Sequence, residues 1–328
     1  MKRLRAFING VDIRRFRFWF QLGAFVLLVY GGYLFINLGN GLPVFSCAFN
    51  DPGKAGNCYL LPLQHQTHIP WGQLFSGRGI GLLMGFVTFL LWLFVLNKAW
   101  CGYVCPLGTI QDWMTKLRQR LRLRYSVYSL ETFTRLKKIK YILLILLVLI
   151  PFGMSNSIAG LPTIPEEMAT PFCKICPGRM IIPAFTGDFS QWTLDLSTKT
   201  AMVMTGLGML VLGVFFIGAF FNKRFFCFFC PMSALHSLFS NVSLLKLKKD
   251  GDKCTRCGDC YRVCDMQIKE IADDVERKIL VEDDCMMCLK CVAACPEEGC
   301  LKATFVGIPI YESTEQGFFK RMNQRGKS

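Results

Sequence analysis

Four stretches of the chain are apolar and free of charge over about the length that crosses the hydrocarbon core of a bilayer, which is about 30 Å thick. Their alternation with polar segments predicts a membrane α-helical protein whose four-helix transmembrane bundle lies within residues 18–249. The stretches are Phe18–Ile36, Ile80–Leu96, Tyr141–Leu161 and Ala201–Phe221. The first follows a basic N-terminus of residues 1–17 and lacks a small-residue cleavage site, so we expect a span rather than a signal peptide.

The distribution of Lys and Arg between the connecting segments predicts how the spans are oriented. Residues 1–17, 98–140 and 223–328 hold 6, 10 and 17 basic residues, whereas residues 39–78 and 162–199 hold 2 and 3. We therefore expect a multi-pass protein of the inner membrane with both termini on the cytoplasmic side. The net charge of +15 is then explained by topology and by contact with anionic lipid, and it requires no nucleic-acid partner.

The second and fourth apolar stretches end in similar motifs. Asn97–Pro106 (NKAWCGYVCP) aligns with Asn222–Pro231 (NKRFFCFFCP) at an offset of 125 residues. Each half thus has two spans that face the same way, which predicts a parallel repeat about an axis along the membrane normal. Such a repeat brings four cysteines together at the cytoplasmic surface, and we call them the inner quartet: Cys101, Cys105, Cys227 and Cys230.

The number of cysteines, 17 in 328 residues, indicates metal binding. A small secreted disulfide scaffold is short and has no membrane spans, so it does not fit this chain. The predicted outer loops hold a second set, which we call the outer quartet: Cys47, Cys58, Cys173 and Cys176. Cys47 and Cys173 are 126 residues apart, nearly the offset of the inner motifs.

The segment after Asp250 has the composition of a small soluble domain and carries the most specific motif. The runs are Cys254-x2-Cys257-x2-Cys260-x3-Cys264 and Cys285-x2-Cys288-x2-Cys291-x3-Cys295. This spacing predicts an α+β ferredoxin domain over residues 250–305 with two 4Fe–4S clusters, followed by a basic tail of residues 306–328. Structural zinc uses paired C-x2-C knuckles and does not require two runs of four.

In two-cluster ferredoxins the fourth cysteine of each run binds the other cluster. The first predicted ligand set is therefore Cys254, Cys257, Cys260 and Cys295, and the second is Cys264, Cys285, Cys288 and Cys291. Asp265 stands where the bacterial pattern has proline, which removes no ligand. Cys300 is left over, and we expect it to be a packed thiol.

The thiols of the two quartets are expected to adopt different chemical states because the quartets face different compartments. In the reducing cytoplasm a disulfide is disfavoured, so the inner quartet holds a third cluster or another thiolate metal site, or else buried inert thiols. Outside, the outer quartet forms two disulfides, one bridge across the halves, or a fourth cluster. His65 and His68 lie on the same side and either bind a quinol, accept its protons, extend a metal site, or are ordinary loop histidines.

The basic N-terminus, the four spans, the inner Cys-Pro motifs and the double-cluster tail resemble the NapH/NosR-type polyferredoxins over nearly the whole chain. NapH proteins are membrane-bound quinol dehydrogenase components of periplasmic nitrate reductase systems. The resemblance implies a quinone, other subunits of a membrane-bound redox complex, and a periplasmic redox protein as partners. The chain departs from the family in the shorter motif Cys227-x2-Cys230-Pro231 and in the outer quartet.

We interpret the chain as an iron–sulfur electron-transfer subunit that links cytoplasmic-side clusters with the quinone pool and a partner oxidoreductase. One alternative is a quinone-independent transmembrane electron wire with clusters at both quartets. Another is a redox assembly or maturation factor, similar to the copper-reducing oxidase accessory proteins, although their large β-domain has no room here. The sequence identifies no catalytic residue.

Overall fold

The computed structural model describes residues 11–67, 70, 75–124, 130–155, 170–280 and 284–319. The chain divides into two compact units. The helical unit comprises residues 23–91 and 104–235, and the tail unit comprises residues 1–22, 92–103 and 236–328.

The helical unit is built from helices that begin at prolines and from long apolar helices. Proline lacks the N–H that a first helical turn leaves unpaired and has a preset φ, so it favours the first helical position. Pro106, Pro177 and Pro231 each begin a helix directly after a cysteine. The helices lying wholly or partly in this unit are Ile13–Tyr30, Leu60–Thr67, Gly77–Leu96, Pro106–Arg120, Leu130–Ser155, Pro171–Ile175, Pro177–Phe185, Lys199–Phe221 and Pro231–Phe239.

Two helices among the described residues are long and apolar enough to cross a membrane, Gly79–Leu96 and Lys199–Phe221. They coincide with the second and fourth predicted spans. The helix Ile13–Tyr30 covers most of the first predicted span, but three arginines near its start shorten the apolar run. The third predicted span, Tyr141–Leu161, lies in the helix Leu130–Ser155 and then runs outside the described residues. A four-helix transmembrane bundle therefore stays a prediction.

The loop after the first helix packs along the side of the helix Gly77–Leu96. Its two short strands, Asn40–Leu42 and Asn57–Cys58, pair in parallel. Tyr59 stacks on Phe89 with 4.7 Å between the ring centroids, and both side chains are buried. The loop is therefore part of the packed interior of the helical unit.

Buried polar groups of this loop are paired within the unit, as burial requires. Ser46 Oγ donates to the Gly56 carbonyl at 2.7 Å. Asn50 Nδ2 donates to the Val29 carbonyl at 2.8 Å, and its Oδ1 accepts from Thr186 Oγ1 at 2.8 Å. These bonds fix the loop that carries the first two cysteines of the outer quartet.

The tail unit contains a three-stranded antiparallel sheet of Leu245–Lys249, Leu301–Phe305 and Ile308–Glu312, with the second strand in the middle. Burial alternates along the first strand, as expected for a strand with one face toward a core. Three short helices lie between the first two strands, Asp259–Arg262, Glu270–Asp273 and Lys290–Ala294. This is the α+β architecture predicted for the tail.

The sheet extends beyond the predicted ferredoxin boundaries of residues 250–305 on both sides. Its first strand ends at Lys249 and its third begins at Ile308. The tail unit also includes residues 92–103, which the sequence analysis assigns to the membrane domain.

Candidate metal centres

The first predicted ligand set of the tail lines one pocket. Lys249 and Cys300 also line this pocket, beside the four cysteines Cys254, Cys257, Cys260 and Cys295. Four thiols around one space are the donor set of a 4Fe–4S cluster. The fourth member, Cys295, belongs to the second cysteine run, so this pocket is lined by cysteines of both runs.

The second ligand set lines another pocket of the same unit. Its cysteines are Cys264, Cys285, Cys288 and Cys291, and apolar side chains such as Ile268 and Met286 complete the lining. Here the fourth member comes from the first run. The two groupings are those named from the spacing of the sequence.

The backbone of the two runs turns in the same way around these pockets. Arg256 and Met287, each two residues after the first cysteine of its run, have φ of 55° and 49°. Gly258 and Leu289, each directly after the second cysteine, have φ of 78° and 58°. Left-handed residues between right-handed ones turn successive N–H groups inward and form anion-binding concavities. Both pockets therefore suit a cofactor with negatively charged sulfur.

Two buried side chains act on the first pocket. Lys249 Nζ donates to the carbonyls of Ile271, Ala272 and Asp274 at 2.6–3.1 Å, so the buried ammonium is well paired. Hydrogen bonding with the neighbouring Cys300 thiol holds the pKa of the Cys295 thiol below its usual value. Cys300 is therefore packed against a predicted ligand, as expected for the leftover thiol.

Asp265, which replaces the proline of the bacterial pattern, is the centre of a buried ion-pair network. Its Oδ2 lies 3.0 Å from Arg17 Nη1 and 2.5 Å from Lys290 Nζ. The side chains of Asp265 and Arg17 are 5% and 3% exposed. Two cations on one buried carboxylate offset the cost of removing these charges from water. The departure from the pattern therefore attaches the N-terminal helix to the ferredoxin runs.

The first inner motif lies directly on the second pocket of the tail unit. Arg17 Nε and Gln21 Nε2 both donate to the Gly102 carbonyl at 2.9 Å. The Tyr103 hydroxyl donates to the carbonyl of Cys288 at 3.3 Å. Gly102 packs against the backbone of Met286. The segment that begins with Cys101 is thus held against a predicted ligand loop.

The outer quartet lines a single pocket in the helical unit. Burial raises the pKa of the Cys176 thiol, and the thiols of the other three members add to the rise. Cys176 is extended, with φ −67° and ψ 127°, and Pro177 begins the next helix. The residue before a proline is biased toward this conformation, so the Cys-Pro sequence itself places the thiol at a helix start.

Three backbone N–H groups favour the thiolate form of Cys58. They belong to Ser46, Leu60 and Leu61. Burial raises the pKa of Cys58 to about 11, and these donors oppose the rise. Buried thiols with N–H donors already directed at them fit a ligand that stabilises thiolate, such as an iron–sulfur cluster.

Arg179 provides the positive charge at the outer quartet. Its guanidinium lies 4.8 Å from the centroid of the Phe49 ring, and its Nε donates to Gln191 Oε1 at 2.6 Å. Burial raises the pKa of Cys47 to about 12, and the Arg179 charge opposes this rise. Arg179 stands three residues after Cys176 and belongs to none of the motifs that the sequence predicts.

Three members of the inner quartet lie in the helical unit, whereas Cys101 belongs to the tail unit. Burial raises the pKa of Cys105, and the nearby Cys227 thiol adds to the rise. Cys230 is buried and precedes the helix that begins at Pro231.

A buried ion pair lies beside Cys227 of the inner quartet. Arg224 Nη2 and Nε lie 2.7 and 3.0 Å from the two carboxylate oxygens of Asp112. The Arg224 side chain also hydrogen-bonds to Cys227. The pair was not predicted, since acidic and basic residues 112 positions apart leave no periodic signal.

Of the two histidines considered as quinol or metal ligands, His65 lies within the described residues and His68 does not. His65 is exposed on the helix Leu60–Thr67. All seventeen cysteines are described, and all are free thiols in the structure. Among the described residues, no group of three or more His, Cys, Asp and Glu is arranged to hold a single metal ion.

Comparison with protein families places iron–sulfur motifs in both units. The model of a 4Fe-4S binding domain matches residues 78–124 and again residues 204–250. The model of a 4Fe-4S dicluster domain matches residues 246–296. The double match agrees with the predicted repeat of the inner motifs, and the second model covers both cysteine runs of the tail.

Curated relatives cover about two thirds of the chain at low identity. The ferredoxin-type protein NapH of Haemophilus influenzae is 26% identical over 222 residues, which is 66% of this chain and 66% of NapH. YccM of Escherichia coli, named for electron transport, is 27% identical over 229 residues, 69% of this chain and 56% of YccM. A ferredoxin of Methanothermococcus thermolithotrophicus is 42% identical over 53 residues, 15% of this chain and 83% of the ferredoxin. The chain thus spans little more than half of YccM. No solved structure matches the chain.

Proposed function

This chain belongs to the NapH/NosR-type polyferredoxins, and from that premise we propose that it is a membrane electron wire. It exchanges electrons between the two 4Fe–4S clusters of its tail and further clusters at the inner and outer quartets. A partner redox protein on each side of the membrane supplies and receives the electrons. The chain itself contributes the ligands and the packing between the centres.

The observation that carries this proposal is the single pocket lined by all four outer cysteines. A protein that only passes electrons from the membrane surface to its cytoplasmic clusters needs no thiol quartet outside. Four converging free thiols supply the ligands of an additional cluster and extend the path across the membrane.

The ligand assignment has four parts. In the tail, each run provides three ligands to one cluster and its fourth cysteine to the other. In the membrane domain, the inner quartet and the outer quartet each hold one cluster. Iron–sulfur clusters transfer single electrons, so four of them in sequence carry current without a substrate pocket.

Contacts within the tail unit support the first transfer. The loop of Cys101 and Gly102 packs on the backbone of Met286 and Cys288, which belong to the second tail pocket. A ligand of the inner quartet is thus joined by direct packing to the ligand loop of a tail cluster. Electrons pass between these two centres through that contact.

Contacts within the helical unit support the second transfer. The Phe45 N–H points at the Cys105 thiol, and Phe45 also lines the pocket of the outer quartet. Its ring packs against Phe226 at a centroid distance of 6.1 Å. The Cys105 thiol acts electrostatically on Cys58. Phe45 therefore adjoins both Cys105 and the pocket of the outer quartet.

The position of the cysteine loops is compatible with a bilayer. Irregular backbone at membrane depth is tolerated where it is buried in protein. The loop with Cys47 and Cys58 meets this condition, because it packs on the apolar helix Gly77–Leu96 and pairs its buried polar groups.

The experiment is an iron count on the full chain, purified without oxygen in detergent. Four clusters give about sixteen iron atoms per chain and two give about eight. We expect about sixteen, and about four fewer in the Cys173→Ser and Cys176→Ser variants, with loss of one cluster's EPR signal. The control is Thr193→Ser, a conservative change at an exposed position of the same unit outside every ligand set, which should leave the iron count unchanged.

A count near eight, with no change in the Cys173→Ser variant, would exclude the wire. That result would leave a plain two-cluster protein, which fits the quinone-linked subunit that the sequence favours or the maturation factor named as an alternative.

Quinone exchange is a second candidate function, favoured by an exposed aromatic patch in the tail unit. Phe16, Trp19 and Phe20 are 48%, 67% and 46% exposed. The Phe20 ring meets Tyr103 edge-on at 5.9 Å, and Tyr103 is bonded to the carbonyl of Cys288. An apolar ring system at this patch would lie next to a tail cluster.

A soluble quinol added without oxygen tests this second function. We expect quinol to reduce the tail clusters, and Phe20→Ala to slow the reduction about tenfold, a loss of about 1.4 kcal/mol in the transition state. Phe75→Ala, which removes an aromatic side chain that is 94% exposed elsewhere, is the control. Absence of reduction, or equal rates in both variants, would contradict quinone exchange at this patch.

A further inference from the structure

Gln64 is buried beside the outer quartet and makes three hydrogen bonds there. Its Nε2 donates to the Leu60 carbonyl at 2.8 Å and to Cys173 Sγ at 3.1 Å. Its Oε1 accepts from the backbone N–H of Phe172 at 3.0 Å. The Gln64 amide thus hydrogen-bonds to the sulfur of Cys173, the first cysteine of the outer CxxCP motif, and to the backbone of the preceding Phe172.

Gln111 makes the same three contacts in the other site of the helical unit. Its Nε2 donates to the Leu107 carbonyl at 3.2 Å and faces Cys227 Sγ at 4.0 Å. Its Oε1 accepts from the backbone N–H of Phe226 at 2.9 Å. The sulfur contact is at the long end for N–H···S, and the two other contacts match those of Gln64 closely.

The correspondence extends to the sequence around both sites. Gln64 stands six residues after Cys58, and Gln111 stands six residues after Cys105. A backbone N–H from the residue three positions later points at each of these cysteines. A phenylalanine precedes Cys173 and Cys227 alike. The glutamine, the cysteine six residues before it and the CxxCP motif that it contacts thus recur together, and we call this set the glutamine unit.

This recurrence differs from the parallel repeat of the inner motifs. The parallel repeat aligns the two inner Cys-Pro motifs with each other, whereas the glutamine unit aligns outer segments with inner segments. The segment with the cysteine and the glutamine recurs at an offset of 47 residues, from Cys58 to Cys105. The CxxCP motif recurs at an offset of 54 residues, from Cys173 to Cys227. Chance packing of a buried glutamine does not explain three equivalent partners at both places.

We propose that the outer and inner quartets are two copies of one cluster-binding unit, in which Gln64 and Gln111 are matched positioning residues. Each glutamine orients the first cysteine of its CxxCP motif and donates an N–H toward its sulfur. The inference rests on the proposed function, since it requires a cluster at each quartet.

The proposal has an electrochemical consequence. Hydrogen bonds to ligand sulfur stabilise the more negative, reduced state of a cluster and raise its reduction potential. The amide is buried and neutral, so it supplies this donor without adding a charge. Each glutamine therefore adjusts one membrane cluster, and the two tail clusters are independent of both.

The test is an EPR-monitored redox titration of the full chain in detergent, with iron content measured on the same samples. Gln64→Met removes both the donor and the acceptor at similar length, and we expect the midpoint potential of one membrane cluster to become more negative. Gln111→Met should shift a different signal. Cys173→Ser identifies which signal belongs to the outer quartet.

A second pair of variants separates positioning from simple structural support. Gln64→Glu and Gln111→Glu keep an acceptor for the phenylalanine N–H but lose the amide donor. We expect them to retain iron and still shift one potential each. Gln119→Met is the matched control, since it makes the same change at an exposed position of the helix that carries Gln111.

Iron near eight in the wild-type chain would refute the proposed function itself. Iron near sixteen with unshifted membrane potentials in the Glu variants would overturn only the role of the glutamines. A shift of the same signal by both glutamines, or altered signals from the tail clusters, would also overturn it. Loss of iron from one membrane site in a Met variant, with the other three signals intact, supports the proposal.

Discussion

Gly102 lies so close to Met286 that a Cβ added to it would stand 2.5 Å from the Met286 carbonyl oxygen. Glycine is needed here because of this close approach of two backbones. The contact joins the first inner Cys-Pro motif to the loop that carries Cys285 and Cys288. It is a direct backbone contact between the inner motif and a predicted ligand loop within one unit.

Gly102→Ala should therefore separate these two loops. The added methyl group would meet the backbone of Met286, which cannot move aside as a flexible side chain could. Overpacking of this kind lowers the free energy of unfolding by about 1–3 kcal/mol. We expect a lower unfolding temperature in detergent and slower electron exchange between tail and membrane clusters, measured by stopped-flow reduction.

Gly213→Ala provides the control for this substitution. Gly213 lies in the helix Lys199–Phe221 with no heavy atom within 4 Å of the added Cβ. Alanine there is expected to leave the transfer rate unchanged and to stabilise the helix by about 0.5–1 kcal/mol. Equal transfer rates in wild type and Gly102→Ala would remove this contact from the electron path.

Asp265→Asn should destabilise the tail unit strongly. The substitution leaves Arg17 buried without its carboxylate, and breaking a buried ion pair by removing one partner costs about 3–5 kcal/mol. Thermal unfolding followed by loss of the cluster absorbance measures the change. Because Asp265 is not a predicted ligand, the iron content at low temperature should be unchanged.

Asp273→Asn makes the same chemical change at an exposed pair. Asp273 faces Lys269 at 3.6 Å with 64% of its side chain exposed, so its removal should cost less than about 0.5 kcal/mol. Similar unfolding temperatures for the two variants would contradict a structural role for the Asp265 network.

The fold of the tail could be predicted because its information is local. Fixed cysteine spacing determines which thiols meet, and the pockets group Cys264 and Cys295 with the opposite run, as the spacing suggests. The strand Leu245–Lys249 lies before the predicted boundary at residue 250, since it carries no cysteine and is recognised only by its pairing with Leu301–Phe305.

The membrane domain is less accessible to sequence reasoning. Apolar runs predict spans such as Lys199–Phe221, but the packing of the outer loop on Phe89 depends on contacts between distant segments. The glutamine unit has a weak signal, a shared Cys-x5-Gln spacing in Cys58–Gln64 and Cys105–Gln111. That spacing becomes meaningful only when the hydrogen bonds are seen.

Asp112→Asn should destabilise the helical unit. Asp112 accepts two hydrogen bonds from Arg224, whose side chain is 1% exposed and also bonds to Cys227. Loss of the carboxylate charge leaves a buried guanidinium, at a cost of about 3 kcal/mol. We expect a lower unfolding temperature and, because Arg224 is then less well held, a changed EPR signal of the inner cluster only.

Asp51→Asn is the matched control in the same unit. Asp51 pairs with Lys54 at the surface, with 73% of its side chain exposed, so its loss should cost less than about 1 kcal/mol. An unchanged unfolding temperature in Asp112→Asn would show that the Arg224 pair contributes nothing to stability.

Pairs of cysteine variants test the exchange of ligands between the two tail runs. If Cys264 binds with the second run, Cys264→Ser combined with Cys285→Ser disables one cluster and removes about four iron atoms. Cys264→Ser combined with Cys254→Ser disables both and removes about eight. Cluster assignment within each run predicts the opposite order, so iron analysis with EPR decides between them. The wild-type iron count sets the reference for both pairs.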